Sequence, residues 1–263
     1  MGSAAAAGSC RAHGGVAMSA LDPASVIEPD WRVPANVRAL CTTRMGGVSE
    51  GPMRALNFGL HVGDAPASVT RNRALLRTHL PSEPVWMEQV HGTDVIDAAT
   101  ASGTPIADGA VARAPGVVCC VMTADCLPVL LADVAGTVVG VAHAGWRGLA
   151  NGVIEATLKR MQAAPGQIVA YLGPAISGSA YEVGGEVFDL FVRNDQHAAM
   201  GFTPKGNGKY WCDLYTLATQ RLRGLGVSAI GGGKFCTYRE PERFFSFRRD
   251  GRTGRMASCI WLA

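Results

Sequence analysis

Two apolar runs in the middle of the chain predict a pair of buried strands joined by a tight turn. Residues 129–132 and 138–142 are aliphatic and β-branched, and the segment Asp-Val-Ala-Gly at 133–136 separates them. Cys126 precedes the first run, and His143 follows the second run directly. A thiol and an imidazole are therefore expected at the margins of one rigid sheet, where side chains are held more precisely than on free loops.

The remaining periodicity predicts a mixture of strands and helices. Apolar runs and alternation predict strands at 37–43, 85–90, 95–96, 117–123, 168–172, 244–247 and 256–262. Helical spacing of apolar residues predicts helices at 69–80, 149–162, 182–193 and 214–225. Residues 95–96 are expected to return from 85–90 as a hairpin. Because strands outnumber helices and several are hairpin-connected, the predicted fold class is α+β in a single domain.

The composition is that of a well-cored protein, with apolar residues at 48% and charged residues at 17% of the 263 positions. No apolar run approaches the roughly 18 residues of a membrane helix. The net charge of +3, without a dense basic run, argues against a nucleic-acid partner. The eight scattered cysteines form no C-x-x-C pair, which favours reduced thiols in a cytoplasmic protein. Residues 1–17 are expected to be a disordered extension or tag, which leaves 18–263 as the domain.

Three side chains that commonly bind metals, His91, Cys126 and His143, each end or adjoin a predicted strand. Two imidazoles and one thiolate suit zinc, and three protein ligands leave a fourth tetrahedral position for water or substrate. Such an open position is typical of catalytic sites. The long spacing between the three residues leaves open the alternative that all of them are ordinary core residues.

The segment His-Ala-Gly-Trp-Arg-Gly at 143–148 predicts a strand–turn–helix junction. Free N–H groups at the start of a helix attract anions, and Arg147 can add a bidentate contact to phosphate or carboxylate. The alternative is a tight turn with a solvated arginine. The position of Arg147 four residues after His143 favours an anion pocket.

Six motifs in this order carry a family resemblance from about residue 37 to the C-terminus. They are TTRMGGVS (42–49), LNFGLHVGD (56–64), QVHGTD (89–94), TADCLP (123–128), HAGWRG (143–148) and FSFRRDGRTGR (245–255). The chain thereby resembles the laccase-domain or polyphenol oxidase family, which includes multifunctional purine nucleoside phosphorylases and peptidoglycan editing factor-like proteins. The resemblance implies a layered sandwich of mixed β-sheets flanked by helices, and a zinc ion on His91, Cys126 and His143.

The resemblance also implies an activity on purine nucleosides. It implies phosphorolysis of adenosine, inosine and S-methyl-5′-thioadenosine, together with deamination of adenosine to inosine. Purine nucleosides and phosphate would be its small-molecule partners, and we expect a monomer.

Residue types near the expected zinc suggest roles in this chemistry. Deamination needs a proton carrier, and Asp125 is the nearest carboxylate in sequence, ahead of Asp94 and Glu88. The alternative for Asp125 is a turn residue that caps local N–H groups. The predicted catalytic set is thus Cys126, His91, His143 and Asp125.

Phosphorolysis needs an anion site beside the ribose. Arg44, Arg147 and Arg248 are candidate phosphate or substrate clamps, whereas Arg249 and Arg255 are interpreted as solvated surface cations. Gln89 and Asn57 are candidates for contacts with the purine or ribose edges, and a structural turn role stays equally open for Asn57.

Other classes of function use the same residues differently. A multicopper oxidase is excluded because the chain has six histidines and no H-x-H pair, although copper can replace zinc at a site with two histidines and one cysteine. The second alternative is a hydrolase with Cys126 as nucleophile and His143 or His91 as base. The resemblance implies a substrate for it, because a bacterial branch of the family is linked to removal of misincorporated L-serine from UDP-MurNAc-peptide precursors. A non-catalytic nucleotide-binding module is the third alternative.

Overall fold

The computed structural model of the protein describes residues 21–263, so the extension expected at 1–17 lies outside the described residues. The strands are β1 (Val26–Ile27), β2 (Val37–Thr42), β3 (Val95–Asp97), β4 (Gly109–Ala112), β5 (Cys119–Thr123), β6 (Leu127–Asp133), β7 (Val139–Ala144), β8 (Ile168–Leu172), β9 (Glu182–Gly184), β10 (Phe202–Gly206), β11 (Lys209–Cys212), β12 (Ala229–Gly232) and β13 (Met256–Leu262). The helices are α1 (Pro66–Arg77), α2 (Trp146–Asn151), α3 (Val153–Met161), α4 (Gly185–Asn194), α5 (Leu214–Gly224) and α6 (Phe247–Asp250).

The strands form three sheets, and the two larger sheets make up the body of the molecule. The larger of these has the order β12-β8-β6-β7-β4-β3, in which the pairs β12/β8 and β3/β4 are parallel and the others antiparallel. A four-stranded antiparallel sheet has the order β1-β2-β13-β5, and a small sheet has the order β10-β11-β9. These mixed and antiparallel sheets confirm the predicted α+β class.

Strand β6 shows why the apolar runs are uninterrupted. Leu127, Val129 and Leu131 point to one face of the six-stranded sheet and pack against α2, α3, α4 and α5. Leu130 and Ala132 point to the other face and pack against the four-stranded sheet. Side chains alternate across a strand, so a strand covered on both faces is apolar at every position.

The outer face of the four-stranded sheet carries the last layer. Cys120, Cys259 and Trp261 of that face pack with Leu75 and Leu76 of α1. The order of layers is therefore helix, sheet, sheet and helices, which confirms the expected sandwich. No helix within residues 21–263 has the length and apolar character needed to cross a membrane.

The central hairpin forms as predicted. Strands β6 and β7 are antiparallel, with Pro128 opposite His143. The carboxylate of Asp133 accepts hydrogen bonds from the backbone N–H groups of Thr137 and Val138, at 2.7 and 2.9 Å. This side-chain contact closes the turn and fixes the strand register that places His143.

The prediction of a strand at 85–90 is wrong. This segment makes only isolated bridges, from Val85 to Cys119 and from Glu88 to Ile106. The amide of Gln89 replaces a ladder contact, because its nitrogen donates to the carbonyl of Met122 (2.9 Å) and its oxygen accepts from the Met122 N–H (2.7 Å). The predicted hairpin is therefore absent, and β3 pairs in parallel with β4.

Three predicted helices have different boundaries, and the helix expected at 69–80 is α1, at Pro66–Arg77. The helix expected at 149–162 begins earlier, at Trp146, and is split into α2 and α3 at Gly152, whose φ of +99° belongs to the left-handed region. The first residues of the helix expected at 182–193 form β9 instead, and α4 follows from Gly185.

The strand predicted at 244–247 is also wrong. Ser246 caps α6 by accepting a hydrogen bond from the backbone N–H of Arg249. The backbone N–H of Phe244 donates to the carbonyl of Glu240 at 3.0 Å, which is a turn contact rather than a strand ladder, and Phe244 and Phe245 are both fully buried.

Candidate metal centre and cleft

The structure brings His91, Cys126 and His143 together, and these three residues are called the metal triad below. Their potential ligand atoms all lie within 4.8 Å of one another. The Sγ atom of Cys126 is 3.7 Å from Nε2 of His91, and the two imidazole rings are 4.8 Å apart between centroids. His143 lies on β7, Cys126 directly precedes β6, and His91 enters from the irregular segment at 85–90.

Asp108, which the sequence analysis missed, organises the metal triad. Its buried carboxylate accepts a hydrogen bond from Nδ1 of His143 at 2.8 Å through Oδ1. It also accepts from three successive backbone N–H groups, those of Val90 (3.1 Å), His91 (3.0 Å) and Gly92 (2.6 Å). The left-handed backbone of His91, with φ of +62°, makes these N–H groups converge on one anion.

The local sequence signal for Asp108 is weak. An Asp-Gly pair directly before a strand, as at 108–109, is also the ordinary signature of a turn. Its role becomes visible only when His143, 35 residues away, is placed beside it.

The donor set and the space around it fit a zinc ion. Two imidazole nitrogens and one thiolate are characteristic zinc ligands, and a carboxylate behind a ligating histidine fixes its tautomer and orientation. The cradle is closed by Gly145, where an added Cβ would stand 2.7 Å from Cδ2 of His91 and 2.9 Å from Sγ of Cys126. Within residues 21–263 this is the one such group of His, Cys, Asp or Glu side chains, so the described structure offers a mononuclear site rather than several copper sites.

The metal triad also favours a reactive thiolate. Burial acts to raise the pKa of the Cys126 thiol, but the charge of His143 and hydrogen bonds from His143 and His91 outweigh burial and lower this pKa to about 6. Burial acts to lower the pKa of His143, whereas the Cys126 thiolate and Asp108 raise it to about 9. In the metal-free protein at neutral pH, a thiolate therefore faces an imidazolium.

The metal triad opens into a cleft of about 760 Å³, a volume suited to a small molecule. Aromatic side chains line it, namely Trp86, Trp146, Tyr181 and Phe247. The arginines that line it are Arg73, Arg147, Arg248 and Arg255, and the imidazole of His61 lies beside them. The cleft thus offers flat apolar surfaces for a ring and positive charges for an anion.

Four of the predicted site residues outside the metal triad line this cleft: Gln89, Asp125, Arg147 and Arg248. Both oxygens of the Asp125 carboxylate are engaged, because Oδ1 accepts from Oγ1 of Thr237 and Oδ2 accepts from the backbone N–H of Arg248, each at 2.6 Å. The partners of Asp125 are distant in sequence rather than the local N–H groups expected of a turn residue, and these contacts hold the loop before β6 against the start of α6.

The two predicted clamps in the cleft are exposed and partly engaged. The guanidinium of Arg147 lies 4.4 Å from the centroid of the Trp146 ring. The guanidinium of Arg248 lies 4.7 Å from the centroid of the Tyr181 ring and donates to the carbonyl of Glu182.

Arg44 and Asn57, which were candidates for substrate contacts, do not line this cleft, and the contacts of Asn57 fit the structural role that was left open for it. The guanidinium of Arg44 donates to the carbonyls of Arg54 and Pro241 and lies over the ring of Phe245. Asn57 is fully buried, and its amide bonds to both backbone polar groups of Gly59, to the Asp64 carboxylate and to the backbone N–H of Arg255. Both residues hold loops together.

The interpretation of Arg255 as a solvated surface cation is wrong. Its side chain is half-buried and lines the cleft together with His61 and Arg73, which the sequence analysis did not single out. His61 and Arg255 both fall within the quoted motifs, at 56–64 and 245–255, and this was the available signal. Arg249 instead binds backbone carbonyls of residues 237, 238 and 244.

Comparison with known proteins gives a consistent result along almost the whole chain. Residues 38–263 match the family described as multi-copper polyphenol oxidoreductase laccase. The chain is 51% identical to a protein of Escherichia coli named purine nucleoside phosphorylase YfiH, and 49% identical to a purine nucleoside phosphorylase of Pseudomonas aeruginosa. Each alignment covers 90% of this chain and 98% of the relative.

Solved structures show the same fold. A crystal structure of a Neisseria meningitidis protein superposes with a TM-score of 0.88 at 51% identity, over 90% of this chain and 99% of that one. The crystal structure of YlmD from Geobacillus stearothermophilus superposes with a TM-score of 0.80 at 33% identity, over 92% of this chain and 94% of that one.

Proposed function

This chain belongs to the multi-copper polyphenol oxidoreductase laccase family, and on that basis we propose that it is a zinc-dependent purine nucleoside enzyme. It would carry out phosphorolysis of adenosine, inosine and S-methyl-5′-thioadenosine, and deamination of adenosine to inosine. The names of its relatives in Escherichia coli and Pseudomonas aeruginosa support the phosphorylase activity.

The observation that carries this proposal is the metal triad at the floor of an aromatic cleft. His91, Cys126 and His143 would hold the zinc ion, which supplies a Lewis acid when bound. Asp108 keeps Nδ1 of His143 engaged, so that Nε2 is the nitrogen left to bind a metal. Trp146, Tyr181 and Phe247 offer faces against which a purine can stack.

The two reactions have different requirements. In phosphorolysis a phosphate oxygen bonds to C1′ of the ribose while the bond from C1′ to N9 breaks, and its electron pair leaves with the purine, which takes up a proton. In deamination water adds at C6 of adenosine and ammonia leaves, which yields inosine. Only the first reaction needs an anion site, so phosphate dependence separates the two.

Chromatography of adenosine incubated with the zinc-loaded protein tests this proposal. We expect adenine only when phosphate is present, and inosine with or without phosphate. His91→Ala and Cys126→Ala should abolish both products, whereas His197→Ala should retain them because its side chain is 87% exposed and outside the cleft. Adenosine that stays intact under every condition would contradict the proposal.

The identity and number of the metal ions are tested separately. We expect one zinc ion per chain after expression, measured by elemental analysis against protein concentration. Copper loaded in vitro would occupy the same site, because copper(II) outcompetes zinc at most sites. A content of three or more copper ions per chain would contradict a mononuclear zinc enzyme.

A thiol hydrolase that edits peptidoglycan precursors is the second candidate. The pKa of about 6 for Cys126, and the 3.7 Å between its Sγ and Nε2 of His91, also suit a nucleophile beside a base. A chelator should abolish the nucleoside reactions and spare a thiol hydrolase acting on UDP-MurNAc-peptides. A module that only binds nucleotides would show ligand-induced stabilisation without turnover under either condition.

We further propose that the protein is a cytoplasmic monomer. Its seven cysteines within residues 21–263 are all free thiols, as in a reducing compartment. Cell fractionation tests the cytoplasmic location, and light scattering of the purified protein tests the monomeric state.

A further inference from the structure

We propose that His61, Arg73 and Arg255 form a phosphate-binding subsite beside the metal triad. The inference rests on the proposed phosphorolysis, which requires an inorganic phosphate in the cleft. It differs from the sequence-based expectation, which assigned the phosphate to Arg44, Arg147 and Arg248.

Contacts with one short segment, residues 57–59, hold both arginines in place. Arg73 of α1 donates from Nε and Nη2 to the carbonyl of Phe58, at 3.1 and 2.9 Å. The N–H of Phe58 donates to the carbonyl of Arg255 at 3.1 Å. The side chain of Arg255 passes over Gly59, where an added Cβ would be 2.9 Å from Cγ of Arg255. His61 follows this segment by two residues.

Neither arginine is neutralised by a carboxylate within the described part of the chain. Arg255 donates through Nη1 to the carbonyls of Thr253 and Gly254, at 3.1 and 3.0 Å. Arg73 lies with its guanidinium 4.0 Å from the centroid of the Trp86 ring. Both side chains are half-buried, and a partly desolvated cation without a counter-ion favours an incoming anion.

The acidic residues that line the cleft do not act as counter-ions for Arg73 and Arg255. The carboxylate of Asp125 is already bonded to Thr237 and to the backbone of Arg248, and Glu88 is exposed to solvent. The positive charges of Arg73 and Arg255 are therefore available to a ligand, and the imidazole of His61 can add a hydrogen bond.

Electrostatic coupling supports the proximity of these groups to one another and to the metal triad. Burial lowers the pKa of His61, and the charges of Arg255 and Arg73 lower it further. Burial lowers the pKa of Arg255, while the charges of Cys126 and Asp125 raise it. The geometry agrees, because His61, Arg73 and Arg255 line the same cleft as the metal triad.

The chemistry of this cluster fits phosphate. A phosphate dianion presents several acceptor oxygens, and planar guanidinium groups bind such oxygens in pairs. Arg73 and Arg255 belong to the half of the molecule built on α1 and the four-stranded sheet, whereas Trp146 and Arg147 lie on α2 beside the six-stranded sheet. A nucleoside held between these two walls would have phosphate on one side and an aromatic surface on the other.

Isothermal titration of the zinc-loaded protein with inorganic phosphate, combined with steady-state kinetics, tests the subsite. In Arg255→Gln, Arg73→Gln and His61→Gln we expect the Kd and the KM for phosphate to rise at least about tenfold, the loss of one charge-assisted hydrogen bond. Phosphate-independent deamination and the KM for adenosine should change much less. Arg71→Gln is the matched control, because Arg71 is on the same helix, is exposed and does not line the cleft.

Phosphate binding and adenine formation are measured separately, so the subsite and the phosphorylase activity can fail independently. The subsite would be contradicted if the folded variants keep the phosphate affinity of the parent protein. Arg255→Lys, which retains the charge, is the control for a folding defect. Parent protein that binds phosphate but forms no adenine contradicts the phosphorylase proposal, while loss of that binding in Arg255→Gln would still establish the anion site.

Discussion

The Nδ1 atom of His143 lies 2.8 Å from Oδ1 of Asp108, and the same oxygen accepts the backbone N–H of His91 at 3.0 Å. One carboxylate therefore positions two of the three members of the metal triad. These two histidines reach the site from different parts of the chain, β7 and the loop after residue 90. The orientation of His143 and the backbone position of His91 therefore depend on this shared acceptor.

We predict that Asp108→Asn lowers the zinc affinity about 10- to 100-fold, the usual effect of losing a carboxylate behind a ligating histidine. An amide offers one acceptor oxygen to the four N–H groups that now share two. The free energy of unfolding should also fall by about 1–3 kcal/mol. Competition with a chromophoric chelator measures the affinity.

Asp94→Asn is the control for this prediction, because the Asp94 side chain is exposed. Equal zinc affinities for Asp108→Asn and Asp94→Asn would show that Asp108 does not position the metal triad.

Gly145→Ala should weaken zinc binding without unfolding the protein. The φ of −65° at Gly145 is accessible to alanine, so the backbone is not strained. The new methyl group, however, would lie within 3 Å of His91 and Cys126 and push the ligands apart. Gly224→Ala, with no atom within 4 Å of the added Cβ, should bind zinc like the parent. Unchanged affinity in Gly145→Ala would mean that the cradle can expand.

The metal-free protein should be alkylated at Cys126 with a midpoint near pH 6. The folded pKa lies below that of a free thiol, so the thiolate, and with it the rate of reaction with iodoacetamide, appears as the pH rises through about 6. Buried Cys41, whose pKa is raised to about 12, should stay unmodified. The measurement uses a Cys10→Ser background and mass spectrometry.

Bound zinc should protect Cys126 from this alkylation, and the alkylation should be absent in Cys126→Ser. A midpoint near pH 8 to 9, the range of an ordinary thiol, would contradict the predicted influence of His143.

Asp125→Asn should destabilise the protein while leaving the pH profile of deamination in place. Both carboxylate oxygens hold other loops, so we expect the free energy of unfolding to fall by about 1–3 kcal/mol. Asp133→Asn, which weakens the turn between β6 and β7, is the control for a loss of stability remote from the cleft. Loss of deamination in a fully stable Asp125→Asn protein would instead identify Asp125 as the proton carrier.

Local sequence signals were sufficient where each contact is formed by near neighbours. The hairpin of β6 and β7 follows from two apolar runs and a turn whose Asp133 caps residues four and five positions later. The same signals failed at 85–90, where the pairing of Gln89 with Met122, 33 residues away, replaces a strand ladder. They also failed at 244–247, where the Ser246 cap prevails over the aromatic pattern.

The sequence by itself determined the α+β class through local periodicity, and the order of its motifs supported the family resemblance that implied a metal on His91, Cys126 and His143. Residue types and spacing alone left open whether these three residues were ordinary core residues. Only the tertiary structure decided that Asp108 supports the metal triad, that Asp125 is bonded through both oxygens and that Arg255 is a half-buried cation in the cleft. Those roles depend on burial and on partners as far apart as Asn57 and Arg255, 198 residues distant, and folding alone brings such partners together.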